Sequence, residues 1–183
     1  MAKSKNLKNH FLITMPQLNE SVFDKGIIYI CQHDKDGAMG IMLNKPIPDI
    51  DKVLSRFELK NISPKPNIYL GGPVDLNKGF VIHKNDYETN GTLEISKKIS
   101  LTSNLKIVND ILDGKGPNKF RLALGYSGWG PGQLEGELKQ GDWLVLPANQ
   151  NLIFNTPDEV MWKTACEKLG IDLADFGGTA GIS

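Results

Sequence analysis

Gly125-Tyr126-Ser127-Gly128-Trp129 sets a hydroxyl between glycines, a spacing close to the one a serine nucleophile uses at a tight strand-to-helix turn. The G-x-S-x-G pattern requires a glycine where this chain has Trp129, and an indole there blocks the close approach on which the turn depends. Phosphate loops fail in a similar way. Gly128-x-Gly130 is followed by Gln133 where G-x-G-x-x-G needs a third glycine, and no Gly-Lys-Ser/Thr follows any glycine cluster. Read as architecture, these glycines supply positive φ angles for a strand-to-helix turn and let Trp129 fold over the core. Read as a site, the same stretch offers aromatic, amide and carboxylate groups to a ligand through Tyr126, Trp129, Gln133 and Glu135.

The remaining candidates are weaker. Cys31-x-His33 could pair a thiolate with an imidazole, but positions i and i+2 of a strand share a face without converging on a substrate, and no acidic group is evident to orient the ring. A buried thiol and a turn histidine are expected instead. His10, His33 and His83 are scattered, so a metal site would have to be assembled with distant carboxylates such as Asp34 or Glu135, and no metal is expected. Glu135 and Glu137 diverge on a helix and make no acid/base pair; one is expected to face the loop and the other solvent. Gly71-Gly72-Pro73-Val74 is either a backbone nest for an anion or a tight turn.

The elements that must position these groups are strand-rich. Phe11 to Met15 reads as a short strand stopped at Pro16, and Gly26 opens Ile27 to Cys31, which is apolar on both faces and suits a central strand. His33-Asp34-Lys35-Asp36-Gly37 is hairpin chemistry leading into a partner strand, Ala38 to Asn44, in which Gly40 marks a bulge or a close backbone approach. Asp49 can cap a helix burying Ile50, Val53, Leu54 and Phe57. Strands follow at Asn67 to Leu70 and Gly79 to His83, then a hairpin over Leu93 to Ile95 and Ile99 to Leu101.

A second helix is predicted over Asn104 to Asp113, capped by Thr102 or Ser103, with Leu105, Val108, Ile111 and Leu112 facing inward and Gly114 as its stop. The central stretch then reads as a strand from Phe120, the glycine loop, a short helical pattern and a strand at Trp143 to Leu146. Leu152 to Phe154 reads as extended. Thr156-Pro157-Asp158-Glu159 reads as a capping box before a helix that buries Val160, Met161, Thr164, Ala165 and Leu169. Strands outnumber helices and most connections are too short for crossovers, so the expected class is α+β: a mixed, mainly antiparallel sheet with about three helices packed on it.

The 183 residues fit one domain, with loose ends expected over residues 1–9 and the glycine-rich 175–183. Lys plus Arg and Asp plus Glu each number 21, which weighs against a phosphate-binding surface and sequence-independent nucleic-acid binding. The two cysteines have no metal or disulfide spacing and fit a reducing compartment. The basic start is followed by no signal-like apolar core, and no apolar run approaches the ~20 residues that span a bilayer. The expectation is a cytoplasmic protein that does not engage membranes.

His10-Phe11-Leu12-Ile13-x-Met15-Pro16, Tyr29-Ile30-Cys31-x-His33, Gly37-Ala38-Met39-Gly40, Asn44-Lys45-Pro46, Gly71-Gly72-Pro73-Val74 and the run from Gly125 to Glu135 together resemble the bacterial YqgE/AlgH family, in its order and over nearly the whole chain. The tail departs from it, with Gly177-Gly178-Thr179-Ala180-Gly181 in place of a small, His-containing end. The resemblance implies a bent, branched sheet curled into a pseudo-barrel and a bacterial cytosolic protein labelled a transcriptional regulator, without assigned catalytic residues or cofactor. The positions that match its motifs, Asn44, Gly71, Gly72, His83, Tyr126, Ser127, Trp129, Gln133 and Glu135, are the expected ligand-binding set. The expected function is that of a non-enzymatic regulatory or binding protein whose partner is a small molecule or a protein. The alternative is a hydrolase or transferase that brings Ser127, His83 and Glu135 together. Direct DNA reading is not expected, because no helix-turn-helix with a basic recognition helix is present.

Overall fold

A computed structural model describes residues 5–15 and 21–174. Residues 1–4 and the tail 175–183, both expected to be loose, lie outside the described residues, as does 16–20. Leu7, within the stretch also expected to be loose, is buried.

In chain order the elements are β1 (His10–Thr14), β2 (Ile27–Asp34), β3 (Gly37–Met42), α1 (Ile50–Arg56), β4 (Ile68–Leu70), β5 (Val74–Lys84), β6 (Thr92–Glu94), β7 (Ile99–Thr102), α2 (Leu105–Leu112), β8 (Phe120–Trp129), α3 (Gln133–Gln140), β9 (Trp143–Pro147), α4 (Gln150–Asn155) and α5 (Asp158–Lys168). The strands form one nine-stranded sheet in the order β6-β7-β5-β8-β3-β2-β1-β9, with β4 added against β8. The β4–β8 pair is parallel and the other ladders are antiparallel, so the sheet is mixed and mainly antiparallel. It curls into a half-barrel, and the class is α+β.

Strand β2 lies between β1 and β3, and its alternate residues enter two different cores, which is why it is apolar on both faces. Ile27, Tyr29 and Cys31 join the cluster beneath α4 and α5, with Met161, Trp162 and Ala165. Ile28 and Ile30 join Trp129, Leu134 and Trp143 beneath α3. A third cluster, with Val53, Leu54, Ile107 and Leu122, lies beneath α1 and α2. Each of these large side chains, once fully buried, contributes about 1.5–3 kcal/mol. The β2–β3 hairpin turns at Lys35-Asp36, as its Asp-Gly signal predicts. Gly40 marks a close approach, since a Cβ there would lie 2.6 Å from the Ile28 side chain, while the bulge falls opposite it, between Ile30 and Gln32.

The stretch predicted as a glycine loop is a strand: β8 continues through Trp129, and the turn is confined to Gly130-Pro131-Gly132. Its first half, Leu122 to Leu124, lies between β4 and β5, and its second half, from Ser127 to Trp129, pairs with β3. The branch falls at Gly125, whose φ of 73° is left-handed. There Gly71-Gly72 passes directly over the strand. A Cβ on Gly71 would lie 2.3 Å from the Gly125 carbonyl oxygen, and one on Gly72 would lie 2.2 Å from the Tyr126 carbonyl. The two glycine motifs therefore meet in one backbone crossing that no side chain can enter.

Several local expectations are corrected. Leu152 to Phe154 is helical, in α4, because the Asn149 side chain accepts from Leu152 N and starts a turn too short to show a period. The cap of α2 is Asn104, so Ile107 is the fully buried residue while Leu105 and Leu112 are exposed. Thr156 forms no capping box: its hydroxyl bonds Asn151 O, and Asp158 turns inward to Arg121. Helix α5 then buries Met161, Trp162, Ala165 and Cys166 and leaves Val160 exposed. With α3 and α4 short, the helices among the described residues number five.

Candidate functional site

Where the sheet curls, it leaves an open cleft of about 780 Å³. That is within the roughly 300–1,000 Å³ range of small-ligand pockets. Its apolar floor is assembled from four strands that are far apart in sequence: Met39 of β3, Phe80 of β5, Leu101 of β7 and Tyr126 of β8, with Leu93 of β6 at one side. These side chains belong to or pack against the cluster beneath α4 and α5, so the cleft is the open end of that core. Phe80 and Tyr126 meet edge to face at 5.8 Å.

Charged groups ring this floor. Asp34 and Asp36 come from the β2–β3 hairpin, and Asp75 and Lys78 from a four-residue excursion of β5, where its register against β8 shifts between Val74 and Gly79. Asp75 takes a φ of 55° there, which opens the strand into the cleft. The Lys78 ammonium sits 5.4 Å from the centre of the Phe80 ring.

The expected site residues are distributed over several places. Tyr126 and Trp129 line the cleft, although the Trp129 ring belongs to the core beneath α3. Asn44 lines a separate cleft of about 360 Å³ beside Trp162 and Lys163, and both ends of its amide are engaged, accepting from Ile27 N at 3.0 Å and donating to Lys25 O at 2.8 Å. Gly71 and Gly72 form the backbone crossing, with Gly71 N donating to Leu124 O at 2.8 Å. Gln133 accepts from Gly130 N and donates to Glu137.

The proposed trio of Ser127, His83 and Glu135 has three separate sets of partners. The buried Ser127 hydroxyl donates to Gly71 O at 3.2 Å. His83 Nδ1 lies 2.7 Å from the Lys84 carbonyl, so that nitrogen carries the proton, and Nε2 accepts from Thr102 Oγ1 at 2.8 Å. Thr102 in turn accepts from Thr92, whose hydroxyl receives Thr89 N–H, so the chain of donors runs in one direction. Burial holds the His83 imidazole below its ordinary range.

Glu135 lies 2.8 Å from His33 Nε2, and Leu7 N–H donates to His33 Nδ1 at 2.9 Å. The backbone donor fixes the tautomer: Nε2 carries the proton and donates to the carboxylate. The Glu135 carboxyl is held below the ordinary range by its own backbone N–H first and by His33 second. An acidic partner for His33 thus exists, supplied from α3 and invisible at sequence level. The neighbouring Cys31 thiol is fully buried and pushed up by desolvation, which keeps it protonated and unreactive. Glu137, expected at the loop or in solvent, accepts from both Trp129 Nε1 and Trp143 Nε1 at 2.8 Å.

Two features were missed in the sequence. Of the cleft residues, Asp36 reads as turn chemistry, Asp34 as turn chemistry or a distant metal-ligand candidate, and Phe80 as strand, while Asp75 and Lys78 fall between the predicted elements; the available signal was the Lys78-Gly79-Phe80 alternation beside an Asp-rich hairpin. Arg121 is 9% exposed, donates to Leu43 O, Ile153 O, Thr156 O and Asp158 Oδ1, and lies 4.9 Å from the Tyr69 ring. Among the described residues no group of His, Cys, Asp and Glu could hold a metal ion, and no helix is long and apolar enough to cross a membrane.

A family model described as AlgH-like matches residues 11–174. A UPF0301 protein of Nitrosococcus oceani is 38% identical over 178 residues, covering 95% of each chain, and one of Marinomonas sp. is 40% identical over 172 residues, covering 92% of each. The solution structure of the AlgH protein from Pseudomonas aeruginosa is similar with a TM-score of 0.79 at 33% identity, covering 100% of this chain and 99% of that one. An X-ray structure of a Corynebacterium diphtheriae protein shares the fold, with a TM-score of 0.70 at 19% identity over 92% of this chain and 90% of that one.

Proposed function

This chain belongs to the AlgH-like family, and on that premise we propose that it is a cytoplasmic binding protein that acts through a ligand held in the Tyr126–Phe80 cleft. It carries out no bond-making chemistry of its own, and any effect on transcription is indirect, passed on by the liganded protein and not by contact with DNA. The observation that carries this reading is the cleft itself: an open volume of about 780 Å³ with an apolar, aromatic floor and charged groups converging on it. The groups that could act as nucleophile or base outside it are engaged elsewhere, Ser127 with Gly71 and His83 with Thr102 and Lys84. The equal numbers of acidic and basic residues also favour a ligand over a phosphate backbone.

Thermal-shift screening against metabolites, nucleotides and peptides tests the reading. A ligand at a hundred times its Kd stabilises the native state by about 2.7 kcal/mol, and Tyr126→Ala should abolish that shift while the protein stays folded. A ligand whose stabilisation is unaffected by Tyr126→Ala, or hydrolytic turnover lost on Ser127→Ala, would overturn it.

A further inference from the structure

We propose that the cleft selects a small organic cation: an ammonium group carried on an aromatic or aliphatic body. This rests on the reading of the cleft as a binding site and specifies what it takes. Three carboxylates, Asp34, Asp36 and Asp75, line the cleft against one ammonium, Lys78. None of these four makes an ion pair among the described residues. In contrast, the carboxylates of Glu135 and Asp158 are each committed to an internal donor, the neutral His33 ring and the Arg121 guanidinium. Asp34 also accepts Asp36 N–H within its hairpin, and the cleft is left with two carboxylates in excess of its ammonium beside an aromatic floor, a concave surface of one sign of charge that draws cations.

Lys78 shows where the ligand's charge goes. Its ammonium already lies over the face of Phe80, 5.4 Å from the ring centre, and Tyr126 and Phe80 pack edge to face. A ring face attracts a cation through its quadrupole, so this position is built for positive charge and is filled by a flexible, exposed side chain from the protein's own β5 excursion. An incoming ammonium takes the Phe80 face, Lys78 swings out toward solvent, and the ligand's apolar body lies on Met39, Leu93 and Leu101. Lys78 thus acts as a tethered competitor that sets the affinity of the site.

Three probes with the same aryl body separate the possibilities: phenethylammonium, 2-phenylethanol and 3-phenylpropionate, each titrated into the full chain while backbone amide NMR shifts are followed at Phe80, Leu93 and Tyr126. Phenethylammonium should bind at these residues at least about two- to five-fold more tightly than the alcohol, the size of an exposed cation–π contact, and the carboxylate should bind most weakly. Lys78→Gln should tighten phenethylammonium binding by a similar factor, and Asp75→Asn should loosen it. Binding of all three probes with equal affinity, or tightest binding of the carboxylate with loss on Lys78→Gln, would overturn the cation inference and leave the cleft reading standing. Shifts from no probe at these residues would overturn both.

Discussion

The corner beneath α3 and the cleft are both built around β8, yet their polar groups behave in opposite ways. In the corner, Glu137 receives two indole N–H groups, and Glu135 receives His33, whose other nitrogen receives Leu7 N–H. A second closed network surrounds Arg121, which joins the ends of β3 and α4 to the start of α5. No buried side-chain polar atom among the described residues lacks a partner. In the cleft, Asp75 and Lys78 face open space and have no ionic partner among the described residues. Polar groups that satisfy one another inside the protein hold it together, and those left facing a concavity are available to something else.

Breaking the closed networks should cost stability, and the largest loss is expected at Arg121. Arg121→Ala removes the cationic partner of Asp158 and the donor to three backbone carbonyls, those of Leu43, Ile153 and Thr156, and removing one partner of a buried ion pair costs about 3–5 kcal/mol. Urea unfolding should show a midpoint shift of that size with an unchanged slope. A loss under about 1 kcal/mol would mean that Arg121 is not an internal staple.

Glu137→Ala should cost less, roughly 2–3 kcal/mol, through the loss of charge-assisted bonds to Trp129 and Trp143. Indole fluorescence should shift with it, since both rings lose the same acceptor. Retained stability together with lost ligand binding would move Glu137 out of the structural corner and into the site.

The His83 relay makes a pH prediction of intermediate size. Burial lowers its folded pKa, so below about pH 6.5 the unfolded chain takes up a proton that the native state refuses. Stability contributed by neutral His83 is complete above that pH and falls as the pH drops, by at most about 1.4 kcal/mol per pH unit. The Lys84 carbonyl bonded to Nδ1 and, after it, the Asp86 carboxylate moderate the shift, and the Tyr87 ring packs edge-on against the imidazole. Melting temperatures between pH 7.5 and 5 should fall, and His83→Gln should flatten that fall. Glu135 titrates in a separate window: its folded pKa is depressed, so its contribution is present above about pH 4.3 and is lost as the pH falls further.

The smallest effect is expected in the cleft. Asp75→Asn should change stability by less than about 0.5 kcal/mol, as a solvent-facing substitution does. A destabilisation above about 1 kcal/mol would show that the cleft carboxylates support the β5 excursion and would erase the contrast with the corner.

Much of the framework is legible in the residues. The both-faces apolar run from Ile27 to Cys31, the Asp-Gly hairpin, the Asp49 cap and the strands ending at Leu70 and His83 all stand close to where their patterns place them. The glycine motifs mark real constraints as well. Their purpose, a crossing of Gly71-Gly72 over Gly125-Tyr126, depends on two segments more than fifty residues apart and could not be read from either alone. The same limit explains why the glycine run looked like a loop: positive φ at Gly125 bends β8 without ending it.

Local periodicity and turn chemistry act over a few residues, so the amino-acid order alone determined the strand-rich α+β class and most element positions. Which polar groups meet was decided by sheet register and curl, as in His33 with Glu135 across 102 positions or Arg121 with Asp158 across 37. The cleft is the same kind of product: its residues come from strands scattered between Gln32 and Trp129, and only the closing curvature of the sheet brings them to one surface.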